Sequence, residues 1–456
     1  MFEPLYTAEE MKAAEAGHDV QQLMARAGRA VAEEAMRRFP DARRFVGVCG
    51  GGANGGDGRI ALEVLESAGR VARLVENAPL EEADVIIDAL FGTGFRGEPR
   101  AEAAGRIEAM NAVPAPIVSV DLPSGVDAST GEIAGACVDA ASTVTFHGPK
   151  VGLAIAPGRF HAGDVVVADI GLEPADTEHR LVTPEVLRLV PRRWADQNKY
   201  TAGSVLVVGG SRGLTGAPSL AAEAAFRADA GYVAVAVPDS TLVVFEQRLL
   251  EAVKLACPEE DGRISPRAIE PIVEFARKAG AVALGPGLGR GPGPKEVVRR
   301  VLADLDRPVV VDADGLFELE PFERSAPTVL TPHEGELARL LGEEASRVAA
   351  HRLDAARRGA ERFDAVCVLK GADSIIAAPG EGVLVSALGT PALATAGSGD
   401  VLTGIVAAFL AKGLEPRLAA GAAVAAQQLA STLLPRAGAV ASDVIGVLPR
   451  VLETAR

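Results

Sequence analysis

Short apolar runs rich in β-branched residues alternate with stretches rich in Ala, Leu, Glu and Arg along almost the whole chain. Most of the runs are continuously apolar, which is typical of strands buried on both faces of a parallel sheet. A first series of strands is predicted at Phe45–Cys49, Val71–Val75, Val85–Asp88, Ile117–Asp121, Thr143–Phe146 and Val165–Asp169. A second series is predicted at Ser204–Val208, Tyr232–Val237, Val282–Gly285, Val309–Asp312, Val329–Thr331 and Val366–Leu369. The alternation predicts an α/β fold with helices packed on the faces of mainly parallel sheets.

Two domains are predicted, because 456 residues exceed the size at which a single hydrophobic core usually stops growing. The polar segment GLEPADTEHR separates the two series of strands. We therefore expect a three-layer α/β domain over residues 1–172 and a second α/β domain over residues 181–456. Within the second domain, the stretch Asp400–Leu434 is expected to form two helices.

The charge and cysteine content exclude several classes of protein. A net charge of −15 argues against a nucleic-acid binder or a protein of anionic membrane surfaces, although backbone amides can still bind small anions. No apolar run approaches the roughly 20 residues that span a bilayer. The four cysteines lie far apart without a C-x-x-C pair, which favours reduced thiols over a zinc site or disulfides. A cytoplasmic protein that binds neither nucleic acid nor membranes is expected.

The segment Gly50–Gly55 fits the dinucleotide fingerprint G-x-G-x-x-G, and it lies between a predicted strand and a predicted helix. Glu76 falls near the end of the next strand, as that fingerprint requires. Two interpretations remain open on this pattern alone, namely a Rossmann dinucleotide site and a tight turn whose glycines serve packing. Asp57 is expected at the mouth of the helix, where its carboxylate would repel a bound phosphate. That position argues against an ordinary dinucleotide site.

Acidic residues also end two further strands of the first series, at Asp88 and Asp121. The carboxyl ends of parallel strands share one edge of the sheet, and ligands bind at that edge. We therefore expect one oxygen-rich pocket formed by Asn54, Asp57, Asp88, Asp121 and Ser124. A single acid in such a place is more often a helix cap, but three acids at one edge favour a site.

The segment AGSGDVLTG, residues 396–404, begins a predicted helix in the second domain. The free amides of Gly397, Ser398 and Gly399 are suited to hold an anion at the start of that helix. Asp400 is placed to take a proton from a hydroxyl that attacks phosphorus. The alternative is that Asp400 only caps the helix.

Other segments of the second domain also follow strands or begin helices. Lys370–Ser374 offers a cation and polar backbone to nucleotide phosphates, and Gly285–Gly289 forms a second glycine-rich strand end. His333 begins a helix, where capping is the commoner role of a lone histidine. No G-x-x-x-x-G-K-[ST] segment is present, which argues against a P-loop nucleotidase.

The first domain resembles the NAD(P)H-hydrate epimerase domain, which is Rossmann-like, through GGGANGGDG, DALFGTGFRG and VDLPSGVD, with the flanking LMARAG and VTFHGPKVG. The resemblance implies that Asp121 is catalytic and that a potassium ion binds to Asn54, Asp88 and Ser124. It also implies that the substrate contacts Ala53, Asn54, Gly55, Gly56, Asp57, Gly92, Thr93, Gly94, Phe95, Arg96, Gly97, Glu98 and Asp121. The family usually has asparagine where this chain has Ala53, so one substrate contact differs.

The second domain resembles the NAD(P)H-hydrate dehydratase branch of the ribokinase-like folds. The resemblance is carried by VLVVGGSRGLTGAPSLAAEAA, ALGPGLG, VVVDADGL, LTPHEGE, VLKGADS and AGSGDVLTG. It implies that the hydrated nicotinamide nucleotide contacts Ala217, Gly287, Gly289, His333 and Asp400. It implies that the adenine nucleotide contacts Lys370, Gly371, Ala372, Asp373, Ser374 and Gly399. Asp400 would be the catalytic base, and the anion hole would be formed by Gly397, Ser398 and Gly399.

Together the two resemblances imply a bifunctional repair enzyme for nicotinamide nucleotides. The first domain would interconvert the R and S epimers of hydrated NADH or NADPH. The second would dehydrate the S form with ADP, or with ATP as the second choice, and release AMP and phosphate. Magnesium would bridge the nucleotide phosphates, and a homo-oligomer is expected. Two alternatives are a ribokinase-like kinase for a vitamin precursor or sugar and a non-catalytic nucleotide-binding scaffold.

Overall fold

The computed structural model describes residues 1–76 and 79–454. The chain divides into two compact units. The N-terminal unit consists of Pro4–His179 together with Ala349–His351, and the C-terminal unit contains Met1–Glu3, Arg180–Val348 and the stretch from Arg352 onward. Each unit contains its own mainly parallel sheet with helices, which confirms the predicted two-domain α/β fold class.

The first 168 residues contain seven strands and six α-helices within the described ranges. The strands are β1 (Phe2–Leu5), β2 (Arg44–Cys49), β3 (Val71–Leu74), β4 (Val85–Ala89), β5 (Ile117–Val120), β6 (Ser142–Phe146) and β7 (Asp164–Ala168). The helices are α1 (Ala8–Glu15), α2 (Val20–Arg38), α3 (Ala53–Ser67), α4 (Ala101–Ala112), α5 (Val151–Ala154) and α6 (Gly158–His161). The six strands of the N-terminal sheet are parallel in the order β3-β2-β4-β5-β6-β7. The six strands predicted there are confirmed to within one residue at each end.

Helix α3 begins earlier than the sequence pattern suggested. Its N-cap is Gly52, so Gly55, Gly56 and Asp57 lie inside the helix rather than in a loop before it. The prediction that Asp57 stands at the helix mouth is therefore wrong, and its side chain is buried in the second turn. The reason is that Gly50–Gly52 alone completes the turn from β2 into the helix.

The C-terminal unit is built mainly on an eleven-stranded sheet with the order β1-β8-β19-β18-β17-β16-β15-β14-β9-β10-β11. Its other strands are β8 (His179–Val182), β9 (Ser204–Val208), β10 (Tyr232–Pro238), β11 (Val253–Cys257), β12 (Glu259–Glu260), β13 (Arg263–Ile264), β14 (Ala281–Leu284), β15 (Val309–Val311), β16 (Thr328–Leu330), β17 (Val366–Leu369), β18 (Ser374–Ala377) and β19 (Leu384–Ser386). Strand β18 runs antiparallel to both neighbours, and β12 pairs with β13 as a separate hairpin.

The helices of this unit are α7 (Gly216–Arg227), α8 (Leu242–Arg248), α9 (Ile269–Ala276), α10 (Pro292–Asp304), α11 (Glu334–Leu341), α12 (Ala345–Ala350), α13 (Arg352–Phe363), α14 (Ser398–Ala411), α15 (Pro416–Thr432) and α16 (Ala441–Thr454). The six strands predicted here are confirmed to within one residue at each end. The two helices predicted in Asp400–Leu434 are also observed, as α14 and α15. The short strands β8, β11, β12, β13, β18 and β19 were not predicted from sequence, and neither was helix α16.

Helix α14 is buried on every side from Val401 to Leu410. It packs closely on α7, because a Cβ on Gly404 would lie only 2.1 Å from the carbonyl oxygen of Ala221. This contact fixes the middle of α14 against the middle of α7. Across the described residues, no helix is both long and apolar enough to span a bilayer.

Two candidate active sites

A cavity of about 920 Å³ opens at the carboxyl ends of strands β2 and β4 in the N-terminal unit. Most of the predicted substrate residues line it, namely Ala53, Asn54, Asp57, Gly92, Thr93, Gly94, Phe95, Arg96, Glu98 and Asp121. Gly55, Gly56 and Gly97 are not among its lining residues. Gly55 instead packs against the carbonyl of Gly50, and Gly56 packs against the methyl group of Met24.

Asp88 lies behind the cavity wall and is fully buried. Its carboxylate accepts hydrogen bonds from the Ser119 hydroxyl (2.8 Å), from the Ser124 hydroxyl (2.6 Å) and from the Ser124 amide (2.9 Å). Burial raises the pKa of Asp88, and these hydrogen bonds partly offset that effect. The structure therefore places Asp88 and Ser124 together, although neither lines the open cavity.

Asn54 connects the cavity to this buried pair through the backbone of Phe91. The Asn54 Nδ2 donates to the Phe91 carbonyl (2.8 Å), while the Phe91 amide donates to the Ser124 hydroxyl (2.9 Å). The Oδ1 of Asn54 is buried and accepts no hydrogen bond from any residue that the structure describes. A buried amide oxygen without a partner costs free energy, so this atom is a candidate to coordinate a bound ligand.

Asp121 lies directly after β5 with a φ of 68°, in the left-handed region. Its carboxylate pairs with the Nζ of Lys150 at 2.6 Å and accepts a hydrogen bond from the Thr145 hydroxyl (3.1 Å). Lys150 is fully buried and also donates to the carbonyl of Phe146 (2.9 Å). A buried ammonium needs such partners, so Lys150 fixes the orientation of the Asp121 carboxylate.

Two further acids face the same cavity. Burial, with the negative charges of Asp121 and Glu15, raises the pKa of Asp57 to about 8. The pKa of Glu15 is also raised, first by burial and then by the Asp121 carboxylate. Asp57 is therefore largely protonated at neutral pH and can donate a hydrogen bond or a proton.

Sequence reasoning missed Glu15, Thr145 and Lys150 as site residues. Lys150 lies within VTFHGPKVG, a segment that only flanks the motifs that carry the family resemblance. A lysine shortly after an apolar strand was the available signal, but nothing in the pattern indicated that its side chain is buried.

In the C-terminal unit, the predicted amide turn forms the first turn of α14. Its N-cap, Gly397, has a φ of 89°, a conformation that glycine adopts without strain. The amides of a first helical turn have no carbonyl partner within the helix, although the Ser398 amide makes a long hydrogen bond to the Thr395 carbonyl (3.4 Å) before it. The buried Gln427 of α15 donates to the Ser398 carbonyl at 2.5 Å and so holds the turn in place. Gln427 was also missed from sequence.

Asp400 lies in this first turn, partly buried. Burial and the negative charge of Asp312 raise the pKa of Asp400 to about 7, while Lys370 acts in the opposite direction. No hydrogen bond to the side chain of Asp400 is found within the described parts of the chain, which argues against the helix-cap alternative. A carboxyl group whose pKa is close to neutrality is suited to act as a general base.

Lys370 lies beside the turn. A Cβ on Gly399 would be 3.2 Å from the Lys370 Nζ, which donates to Asp312 at 2.8 Å. Thr403 of α14 donates to the other oxygen of Asp312 at 2.7 Å. Burial lowers the pKa of Lys370, but the Asp312 and Glu336 carboxylates outweigh it and raise the pKa above its ordinary value. Lys370 is therefore a fixed positive charge next to the amides.

The rest of the predicted nucleotide loop follows β17 and leads into β18. Asp373 is buried and pairs with the buried Arg352 at 3.2 Å, and Arg352 also pairs with Glu334. A Cβ on Gly371 would lie 2.4 Å from the Arg352 guanidinium, so the loop rests on that side chain. Asp373 thus holds the Arg352 side chain against which the loop packs.

The predicted substrate residues of this unit are brought together only in part. A Cβ on Gly287 would lie 3.3 Å from the Cβ of Ala217, and the Gly289 amide donates to Asp314 at 3.0 Å. Asp314 in turn contributes to the raised pKa of Asp400. His333 caps α11, where its Nδ1 accepts hydrogen bonds from two backbone amides. His333 is therefore observed as a helix cap, and contact between His333 and the substrate stays a prediction.

Both parts of the chain are similar to known proteins. The family model described as NAD(P)H-hydrate dehydratase matches residues 205–450, and the model described as YjeF-related protein N-terminus matches residues 20–77 and 61–152. The bifunctional NAD(P)H-hydrate repair enzyme of Moorella thermoacetica is 38% identical over 94% of this chain and 92% of its own. The corresponding enzyme of Escherichia coli is 32% identical, over 96% and 90%.

Among solved structures, an ADP/ATP-dependent NAD(P)H-hydrate dehydratase from Bacillus subtilis, co-crystallised with ATP and Mg²⁺, is similar with a TM-score of 0.54. It is 29% identical, and the similarity covers 60% of this chain and 98% of that one. The curated relatives match over nearly the full length of both chains, so the resemblance predicted from the motifs is confirmed. This chain belongs to the family of bifunctional NAD(P)H-hydrate repair enzymes.

Proposed function

We propose that this chain repairs hydrated nicotinamide dinucleotides through two reactions. The N-terminal unit interconverts the R and S epimers of NADH or NADPH hydrate, and the C-terminal unit dehydrates the S form with ADP, yielding AMP and phosphate. The observation that carries the proposal is the position of Asp400 in the first turn of α14, where burial and Asp312 raise its pKa to about 7. ADP is the proposed donor, and ATP is the alternative.

In the dehydration, Asp400 takes the proton of the hydroxyl group on the hydrated nicotinamide ring. The hydroxyl oxygen then attacks the terminal phosphorus of ADP, and AMP leaves. The lone pair of the ring nitrogen assists the departure of phosphate from the adjacent carbon. Loss of a proton from the neighbouring ring carbon then restores the reduced nicotinamide.

The protein stabilises the transferred phosphoryl group in two ways. The amides at Gly397–Gly399 donate to its oxygens, and one such donor typically lowers the barrier by about 3 kcal/mol. Lys370 adds a positive charge that Asp312 and Thr403 hold in position. Magnesium supplies further charge neutralisation at the nucleotide phosphates. No group of three or more His, Cys, Asp or Glu side chains in the described ranges could hold a metal, so those phosphates would be its main ligands.

In the epimerisation, the hydroxyl group leaves one face of the ring carbon and water returns on the other. This requires one group that gives a proton to the leaving oxygen and one that takes a proton from the incoming water. Asp57, with its raised pKa, is the proposed acid. Asp121 is the proposed base, because its carboxylate lines the cavity and is held in position by the Nζ of Lys150 at 2.6 Å.

A potassium ion is proposed between Asn54, Asp88 and Ser124. The Oδ1 of Asn54 is buried without a partner, and Ser124 already contacts Asp88. Carboxylate, hydroxyl and amide oxygens can replace the water shell of a monovalent cation. The ion would support the Phe91 backbone that borders the cavity.

Replacing potassium chloride with choline chloride at equal ionic strength is expected to slow epimerisation and to leave dehydration unchanged. Asn54→Ala is expected to raise the potassium concentration for half-maximal epimerisation on the order of tenfold or more. Asn111→Ala is the control, because Asn111 also donates to a backbone carbonyl, that of Cys137. An epimerisation rate that is the same in both salts would refute the potassium site.

The proposed function is tested by incubating the full chain with both epimers of NADH hydrate and ADP. We expect recovery of reduced-nicotinamide absorbance from both epimers, with one AMP and one phosphate per NADH formed. A phosphorylated compound that accumulates without NADH would favour the alternative kinase, and unchanged nucleotide would favour a scaffold. A cytoplasmic location and a homo-oligomeric state remain predictions of the resemblance.

A further inference from the structure

A cleft of about 510 Å³ in the C-terminal unit contains three arginines from three separate segments. Arg212 follows β9, Arg263 begins β13, and Arg290 follows the glycine turn after β14. The Arg212 and Arg263 segments are joined, because the Arg212 amide donates to the Gly262 carbonyl (2.8 Å) and a β-bridge connects Ser211 to Arg263. A concentration of guanidinium groups is unexpected in a chain with a net charge of −15.

The three arginines differ in their partners. Arg290 pairs with Asp314 at 3.0 Å and lies over the ring of Phe317. Within the described ranges, the side chains of Arg212 and Arg263 make neither an ion pair nor a hydrogen bond. The other acids nearby are Asp261, in the hairpin turn, and Glu259, whose carboxylate accepts a hydrogen bond from Ser240 and interacts electrostatically with Arg212. Two guanidinium groups are therefore available to an anion.

The cleft adjoins the proposed dehydration site. Gly289, a predicted substrate contact, lines it, and a Cβ on Gly289 would lie 3.0 Å from the Cδ of Arg263. Asp314 also lines the cleft and lies close enough to Asp400 to raise its pKa. A ligand that extends from the reacting ring along the Gly287–Gly289 turn would therefore reach the arginines.

We propose that Arg212 and Arg263 bind a phosphate group of the dinucleotide substrate during dehydration, an inference that rests on the proposed function. Guanidinium groups recognise phosphate through paired, charge-assisted hydrogen bonds. The hydrated dinucleotides offer two phosphate sources, the pyrophosphate of both forms and the 2′-phosphate of the NADPH form alone. The hairpin between β12 and β13 holds Arg263 in place, because its Asp-Gly turn is the type favoured in two-residue hairpins.

The test compares kcat/KM for dehydration of NADPH hydrate and NADH hydrate in wild type and in the double variant R212A/R263A. We expect a loss on the order of 10- to 100-fold with unchanged epimerisation, and partial rescue in R212K/R263K. A loss confined to NADPH hydrate identifies the 2′-phosphate, and an equal loss for both identifies the pyrophosphate. Arg450→Ala, an exposed arginine on α16, is the control.

Unchanged kcat/KM for both hydrates in the double variant would overturn the proposal. An equal loss that the lysine variant does not rescue would also overturn it, because it would indicate a structural role. If wild type dehydrates neither hydrate, the proposed function has failed. Calorimetric binding of NADP⁺ and NAD⁺ to the same proteins then decides the phosphate site, and equal affinities of wild type and double variant would refute it.

Discussion

Replacing Asp400 with asparagine is expected to lower kcat for ADP-dependent dehydration by about 10²- to 10⁴-fold, the usual contribution of a general base. Epimer exchange should not change, because the epimerase residues lie in the other compact unit. Asparagine keeps the size of the side chain and removes its negative charge and its ability to take the proton. The wild-type rate should rise with pH to a plateau with a midpoint near pH 7, because the deprotonated form of Asp400 is active and its pKa is about 7.

Asp443→Asn is the matched control for this variant. Asp443 also lies in the first turn of a helix, α16, where its carboxylate accepts a hydrogen bond from the Val440 amide (2.9 Å). If both variants lose dehydration to the same extent, the loss reflects helix capping rather than proton transfer. Full dehydration activity in Asp400→Asn would show that Asp400 is not the base.

Asp121→Asn is expected to have the opposite selectivity, with a loss of epimerisation by about 10²- to 10⁴-fold and normal dehydration. Asparagine is the right replacement because Asp121 has a φ of 68°, and asparagine tolerates the left-handed region better than alanine. The buried Lys150 ammonium would keep a polar partner but lose its counter-charge. The readout is the rate at which the pure R epimer is converted to the S epimer.

A change at another acid of the same unit separates catalysis from general electrostatics. Asp139 is exposed and pairs with His161 at 2.6 Å, so Asp139→Asn should retain epimerisation. If Asp121→Asn loses both reactions, unfolding or aggregation is indicated, and its thermal unfolding midpoint would be reduced. If it retains epimerisation, the proposed base is wrong.

In each unit, the sheet edge that carries the site could be predicted from sequence because its signal is local. Each apolar run ends at a polar or glycine residue, and a parallel sheet brings these ends together. Asp88 and Asp121 end neighbouring strands, and Lys370 follows β17 in the same manner. The amide turn of α14 was predictable for the same reason, because glycines and an acid directly precede a long apolar helix.

The residues that orient these groups could not be predicted, because their partners are distant in sequence. Gln427 holds a carbonyl 29 residues away, and Lys370 pairs with Asp312 over 58 residues. Lys150 resembles an ordinary surface lysine until packing buries it against Asp121. Strand β18 was missed since its antiparallel pairing depends on a turn rather than on a helical crossover.

The central claim is that the start of α14 catalyses phosphoryl transfer to the hydroxyl group of the hydrated ring. It is tested most directly with hydrate that carries oxygen-18 in that hydroxyl group, incubated with ADP and the full chain. The released phosphate should then contain one labelled oxygen, because the carbon–oxygen bond breaks only after the oxygen has joined phosphorus. Unlabelled phosphate, with the label found in water, would contradict this account.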